Sequence, residues 1–377
     1  LASRILIVAG EASADLHGSA LVREIKSRIP DVEVFGVGGG ELRAAGVRTV
    51  IDAAHLSVMG TSETLGALGR VYAAYSWIKR ALDERRPDLV ILIDFPEVNL
   101  PVARQAKKRS IPVLYFISPQ VWAWRRGRVR TIARTVSKML VIFPFEEEFY
   151  RQHGVDAEYV GHPLTERVSR SPGRDEARSA LGLQNDDLVF GILPGSRRSE
   201  INSMLPVMLK AADIISGERP DARFIIPKAD TLERREIDRW VRGSSADVMV
   251  VESNFELAVR ACDAAMVTSG TATLHTALLD VPMVIAYRAA PLSYLLGRLL
   301  IRVRFIGIVN LIAGRKIAEE LIQEQANPAN LARASLSLAR DPVKRAGALA
   351  AYREVKQKLG AKKAAEEAAK IAASFLR

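Results

Sequence analysis

Short aliphatic runs alternate with amphipathic stretches along this chain, and that alternation leaves few folds open. Ile5–Ala9, Val32–Val37, Leu89–Asp94, Val113–Ser118 and Met139–Phe143 are nearly unbroken apolar runs, too short for buried helices. Runs of that kind are strands covered on both faces, as in a parallel sheet. Between them, Asp15–Ile29, Thr64–Glu84, Val98–Arg109 and Arg128–Ser137 repeat apolar residues every three or four positions, as crossover helices do. A polar stretch, Thr165–Glu176 with Ser171-Pro172-Gly173 inside it, interrupts the pattern and reads as a linker. The alternation then restarts, with strands expected at Leu188–Leu193, Arg223–Pro227, Val248–Val251, Ala264–Thr268 and Met283–Ala286, and helices such as Glu200–Ile215 and Thr271–Leu279 between them. From about Asn327 the sequence is rich in Ala, Lys and Glu and reads as helix alone. The expected fold is α/β: two Rossmann-like doubly wound domains facing a cleft, with C-terminal helices. The expected division is 1–164, 165–345 and a helical tail from 346 to 377.

A chain of 377 residues is longer than one core usually organises, in keeping with two domains. The single cysteine, Cys262, allows no internal disulfide and no Cys-rich zinc site, which fits a reducing compartment. Ile5–Ala9 is too short for a secretory apolar region, and no run approaches the roughly 18 apolar residues of a membrane span. The chain is expected to be soluble or peripheral. A net charge of +11 points to nucleic acid, anionic lipid, a negatively charged substrate or a basic solvated surface, and composition does not choose among them.

The strongest local signal is Leu193-Pro194-Gly195-Ser196-Arg197-Arg198-Ser199-Glu200, where a strand turns into a helix. Free N–H groups at such a helix start, with Arg197 beside them, suit a phosphate; the alternative is a plain turn capped by Ser199. Val267-Thr268-Ser269-Gly270-Thr271-Ala272-Thr273 repeats the design, with Gly270 allowing close approach of an anion and Thr271 and Thr273 carrying hydroxyl donors. Together the two loops are expected to hold a diphosphate. The first turn, Gly10-Glu11-Ala12-Ser13-Ala14-Asp15-Leu16-His17, lacks a dinucleotide fingerprint. Glu11, Ser13 and Asp15 can touch a sugar, or Ser13 and Asp15 can cap the helix; His17 reads equally as packing or function. Asp94, at the end of a buried strand, is placed to take a proton from a hydroxyl or to cap the helix begun near Pro96. Trp122 and Trp124 against Arg125, Arg126 and Arg128 can stack a base, clamp a phosphate or rest on lipid. Leu65, Leu68, Tyr72, Tyr75, Ile78 and Leu82 form a helical stripe, core-facing or interfacial, and the basic stretch Leu292–Val309 is similarly ambiguous. Scattered histidines and the lack of an Asp-x-Asp pair after any strand give no indication of a metal.

Taken together these motifs resemble the lipid-A-disaccharide synthase family. The likeness runs from Gly10-Glu11-Ala12-Ser13 and Asp15-Leu16-His17-Gly18 through Ser57-Val58-Met59-Gly60, Asp94-Phe95-Pro96 with Asn99, and Pro119-Gln120-Val121-Trp122-Ala123-Trp124. It continues through Pro144-Phe145-Glu146, Gly161-His162-Pro163-Leu164, Pro194-Gly195-Ser196-Arg197, Ser269-Gly270-Thr271-Ala272 and Asn310-Leu311-Ile312-Ala313-Gly314. The resemblance implies a GT-B inverting glycosyltransferase without a cofactor or metal. It would join UDP-2,3-diacylglucosamine to 2,3-diacylglucosamine 1-phosphate (lipid X), giving the β-1,6 disaccharide 1-phosphate and UDP. Asp94 would be the base and Arg197 the group that steadies the departing diphosphate. Gly195, Ser196, Ser269, Gly270, Thr271, Ala272, Thr273, His275 and Asn310 would hold the donor; Glu11, Ser13, Asp15, His17 and Met59 would hold the acceptor. The enzyme would sit on the anionic cytoplasmic face of the inner membrane, bind no nucleic acid, and be compatible with a homodimer. Two positions depart from the family: Ala14 stands where glycine is usual, and His275 where a ribose-gripping glutamate is usual. Competing readings are another UDP-sugar enzyme such as an epimerase, a nucleic-acid binder, and a silent UDP-sugar or lipid binder.

Overall fold

The computed structural model describes residues 2–52, 64–123, 126–229, 231–252, 254–290, 294 and 303–376. Ser57–Gly60 with Met59, Trp124, Arg125, and 292–293 and 295–302 of the basic stretch lie outside the described residues, as do the side chains of Leu65, Leu68 and Arg126. The chain divides into two compact units, 1–163 with 361–377, and 164–360.

In the first unit β1 (Arg4–Ala9), β2 (Glu33–Gly38), β3 (Arg48–Asp52), β4 (Leu89–Ile93), β5 (Val113–Phe116), β6 (Lys138–Val141) and β7 (Ala157–Tyr159) form one sheet in the order β3-β2-β1-β4-β5-β6-β7. Every pairing is parallel. The helices are α1 (Ala12–Arg28), α2 (Gly40–Ala44), α3 (Thr64–Glu84), α4 (Pro96–Lys108), α5 (Val129–Thr135) and α6 (Pro144–Arg151). Strands β1 and β4 contribute fully buried residues on both faces, which explains their unbroken apolar runs. On α3, Ile78 and Leu82 pack inward while Tyr72 is 72% exposed, so the apolar stripe is not buried along its whole length.

The second unit repeats the plan. After α7 (Pro163–Ser169) and α8 (Arg174–Ala180), β8 (Leu188–Leu193), β9 (Ala222–Lys228), β10 (Asp247–Glu252), β11 (Ala264–Thr268), β12 (Met283–Tyr287) and β13 (Glu319–Ile322) form a parallel sheet in the order β10-β9-β8-β11-β12-β13. Its helices are α9 (Arg198–Glu218), α10 (Arg234–Val241), α11 (Phe255–Arg260), α12 (Thr271–Leu278), α13 (Ile308–Ala313), α14 (Pro328–Arg340) and α15 (Pro342–Leu359). The last helix, α16 (Ala364–Ser374), belongs to the first unit: Ala364, Ala368, Ala369 and Ala372 are buried in the same cluster as Leu21, Val22 and Ile25 of α1. Alanine on that face lets the two helix backbones approach closely.

Three strands, β3, β7 and β13, fall outside the expected set. Each is an edge strand with partly exposed residues, so none carries the continuous apolar run that marks the interior strands. Among the described residues no helix is long and apolar enough to cross a membrane.

In each sheet the chain order reverses direction between the two strands formed first on either side, β1 and β4 in one unit, β8 and β11 in the other. Loops leaving the carboxyl ends of such a pair splay apart and open a crevice there. The β8–β11 pair is pinned by Asp263, whose backbone N–H donates to Val189 O at 2.7 Å and whose carboxylate accepts from Val189 N at 2.9 Å. Arg178, fully buried, holds that carboxylate at 2.8 Å and donates to the carbonyls of Ala261, Gln184, Asn185 and Asp187. Arg178→Ala would leave the half-buried Asp263 with Arg174 as its remaining cation, at 2.6 Å, and take a charged donor from four carbonyls. Urea unfolding should show a loss of about 3–5 kcal/mol; a loss under about 0.5 kcal/mol, the scale of a surface change, would contradict this role.

Candidate active site

Asp94 directly follows β4 at the switch point of the first sheet. It and Phe95 both adopt left-handed backbone conformations, each with φ +44°, so the chain turns sharply off the strand. Asn99, fully buried on the first turn of α4, holds the turn by donating from Nδ2 to the carbonyls of Ile93 (3.0 Å) and Asp94 (2.7 Å). Tyr115 Oη, from β5, donates to the same Asp94 carbonyl. Gly10, after the neighbouring β1, admits the Phe95 ring; a Cβ there would collide with it. Burial, with the negative charges of Glu11 and Glu97 nearby, pushes the Asp94 carboxyl up to about 6, although the Phe95 backbone hydrogen bond opposes the rise. A carboxylate with that affinity for a proton, at a switch point, suits a general base.

The acceptor-side residues separate into two groups. Glu11 and Ser13 are exposed beside the β1 end, and burial lowers the pKa of His17, favouring its neutral form. Asp15 is different. Its buried carboxylate accepts from the backbone N–H groups of Gly39 (2.6 Å), Glu41 (2.9 Å) and Leu42 (3.2 Å), capping α2 and tying the β1 turn to the β2 turn. The helix it caps is thus α2, not its own.

In the second unit the loops after β8 and β11 leave neighbouring strands, paired up to Leu193 and Val267. Gly195 has φ +110° and no room for a Cβ against Glu200. The expected free N–H groups are engaged: the Glu200 carboxylate accepts from Ser196 N (3.0 Å) and Arg197 N (3.2 Å). Arg197 Nη1 lies 3.3 Å from the same carboxylate on an otherwise exposed side chain. A carboxylate thus already marks the place as one that accepts an anion. On the second loop Thr271 is exposed and Ala272 half-buried, whereas Thr273 Oγ1 donates inward to Gly270 O (2.8 Å) and Ser269 Oγ to Ile306 O (2.7 Å). Of the two threonines, Thr271 alone keeps its hydroxyl at the surface of the loop.

His275, in the second turn of α12, is buried and stacked on Phe255, ring centroids 4.4 Å apart. Its Nε2 lies 3.0 Å from Glu256 Oε1, at ion-pair distance but outside hydrogen-bond alignment. Although burial would raise it, Glu256 is held down at about 2 by His275 and Arg167. The structure therefore places a carboxylate beside the position where the family usually carries one. Asn310 is fully buried, and all its amide groups are engaged: Nδ2 with Ala318 O and Glu320, Oδ1 with the N–H groups of Ile317 and Ala318. Glu320 also accepts from Ile306 and Gly307 N–H, so Asn310 and Glu320 shape the segment that receives Ser269.

Tyr115, Glu256 and Glu320 carry no function in the sequence reading. Tyr115 gives the clearest missed signal, a hydroxyl set in an otherwise apolar strand; the acidic partners act across long sequence separations that periodicity does not encode. Among the described residues no cluster of three His, Cys, Asp or Glu side chains is placed to hold a metal ion. If Asp15 holds the β2 turn, Asp15→Asn, which points an amide NH₂ at backbone donors, should cost about 1–3 kcal/mol in urea unfolding. An unchanged midpoint would contradict it.

The profile of the lipid-A-disaccharide synthetase family matches residues 5–375. The lipid-A-disaccharide synthase of Syntrophus aciditrophicus is 45% identical over 374 residues, covering 99% of this chain and 98% of the relative. Two solved structures share the fold at low identity. The UDP-GlcNAc 2-epimerase of Neisseria meningitidis, bound to UDP-GlcNAc, has a TM-score of 0.66 at 12% identity and covers 99% of each chain. The kitacinnamycin glycotransferase has a TM-score of 0.64 at 16% identity and covers 100% of each. The fold is thus that of the GT-B glycosyltransferases, and the match across nearly its entire length shows that this chain belongs to the lipid-A-disaccharide synthase family.

Proposed function

We propose that this chain joins UDP-2,3-diacylglucosamine and lipid X into the β-1,6-linked disaccharide 1-phosphate, releasing UDP. The observation that carries the mechanism is the carboxylate of Asp94, raised to about 6 at the β1–β4 switch point. Asp94 takes the proton of the acceptor 6-hydroxyl as its oxygen attacks the anomeric carbon; the bond to UDP breaks on the opposite side, and the configuration inverts. Negative charge grows on the departing diphosphate. Arg197 and the N–H groups of Ser196 and Arg197 stabilise it, with Glu200 yielding or sharing those donors. Thr271 and the open backbone at Gly270 contact the same diphosphate. Phe255, Glu256 and His275 meet the nucleoside, while Glu11, Ser13 and His17 meet the acceptor sugar. The net charge of +11 and the exposed Tyr72, Lys79 and Arg80 on α3 favour a peripheral site on an anionic membrane, at the cytoplasmic face where the acylated substrates reside.

A base must be ionised, and the raised pKa of Asp94 means that it is lost as pH falls through about 6. With the two substrates in detergent, kcat/KM should therefore decline below that pH. Asp94→Asn should lower kcat by about 10²-fold with UDP affinity unchanged; wild-type turnover would remove Asp94 from the role. Arg197→Ala should weaken both UDP binding and turnover, because it meets charge present before and during transfer, and unchanged kinetics would dismiss it. Turnover of the UDP-sugar without use of lipid X would favour an epimerase instead.

A further inference from the structure

The loop that follows β5, from Ile117 to Ala123, has no regular structure yet Ser118, Pro119, Val121, Trp122 and Ala123 are buried. Its hold comes from a carboxylate on a different element. Glu146, on the first turn of α6 and 1% exposed, accepts from Ser118 Oγ at 2.6 Å and Trp122 Nε1 at 2.8 Å through Oε1, and from Phe143 N at 3.0 Å through Oε2. Tyr150, one turn further along α6, donates to Pro119 O. The Trp122 ring meets Phe145 edge to face, with centroids 5.0 Å apart, so indole and carboxylate fix each other in two directions.

Among the described residues no lysine or arginine pairs with Glu146, and a buried carboxylate is a costly way to join two segments; an apolar contact of similar volume is usually as stable. What the carboxylate adds is direction, since three donors on two elements converge on two oxygens. The loop begins beside the proposed base: β5 pairs with β4 through Ile93 and Phe116, Asp94 N donates to Phe116 O, and Tyr115 donates to the Asp94 carbonyl.

We infer that Glu146 is a positioning residue for the transfer reaction, holding the Ser118–Ala123 loop and its Trp122 indole in the orientation that the acceptor side of the site requires. This rests on the reading of Asp94 as the base. Burial pushes the Glu146 carboxyl up to about 7, against the hydrogen bonds of Ser118, Trp122 and Phe143. Among the described ionisable groups, Tyr150 on α6 faces Glu146 and in turn faces Tyr115 on β5 and Asp94 after β4, while the ring of His162, after β7, lies 5.2 Å from that of Phe143, whose N–H Glu146 accepts. Protonation would convert one acceptor oxygen into a hydroxyl that only Ser118 Oγ could accept, since Trp122 Nε1 and Phe143 N can only donate, so the ionised form, which accepts from all three, holds the loop best. The acid side of the rate profile should then contain a proton taken by Glu146 as well as the one taken by Asp94.

The test compares the full-length wild-type chain with Glu146→Gln, Ser118→Ala and Asp94→Asn in the two-substrate assay, with UDP affinity and thermal unfolding measured on each. Glutamine keeps the shape but turns its NH₂ toward one of the donors. Glu146→Gln should lower kcat by about 10- to 100-fold and leave UDP affinity unchanged, and its acid limb should fall with one proton where the wild type falls with two. Ser118→Ala, which removes a single donor, should show a smaller loss in the same parameter and decides the matter if Glu146→Gln does not fold. The inference is overturned if both variants keep the wild-type kcat and two-proton limb, if the loss lies in UDP affinity, or if it matches the fraction unfolded. Full turnover by Asp94→Asn would instead overturn the base assignment, which separates the two failures.

Discussion

The turn at Asp94 and Phe95 is the constraint on which the first unit's chemistry depends. Two successive non-glycine residues in left-handed backbone conformations are uncommon, and each costs on the order of 1–3 kcal/mol. Such a turn persists only when its surroundings fix it. Here Asn99 donates to two consecutive carbonyls, Tyr115 donates to one of them, and Gly10 makes room for the Phe95 ring. Hydrogen bonds of this kind contribute roughly 1 kcal/mol each, enough to offset much of the strain. The outcome is a carboxylate set off the end of a buried strand, beside Glu11, where ionisation is disfavoured and proton uptake is correspondingly strong.

Elsewhere in the chain, buried or half-buried carboxylates serve backbone N–H groups. Asp15 caps α2, Glu200 closes the loop after β8, Glu320 gathers the segment before α13, and Glu146 caps α6 while holding the loop after β5. Each orders the loop at a strand's carboxyl end, which is where α/β sheets place their chemistry. Asp94 stands apart because its turn is held by other residues, and among the described residues its side chain accepts one backbone hydrogen bond, from Phe95. The sheet positions the loops, the acidic residues order them, and the remaining carboxylate is the one assigned the proton in the proposed reaction.

Much of this is legible in the sequence. Interior strands such as β1, β4 and β11 are buried on both faces, so their sequences carry unbroken apolar runs, and the amphipathic crossovers between them define a parallel sheet. The loops at Pro194–Arg197 and Ser269–Thr271 could be read from strand, small residues and helix in succession. What could not be read depends on partners distant in sequence. Nothing local to Asp15 says that it meets Gly39, and nothing local to His275 says that it faces Glu256. Asn310 reads as a donor-holding residue through the family resemblance, and nothing local to it says that Ala318 and Glu320 occupy its amide. The alanine face of α16 likewise carries no mark of its destination on α1. Edge strands β3, β7 and β13 escaped for the opposite reason, since partial exposure relaxes the pattern that betrays a strand.

The most direct test of the account is a titration of the Asp94 carboxyl by carbon-detected NMR, assigned by comparison with Asp94→Asn. The account requires a midpoint near 6 in the wild type. A midpoint near 4, the value of an ordinary aspartate (about 3.9), would mean that the turn leaves this carboxylate solvated and unactivated, and the central role assigned to it would be wrong.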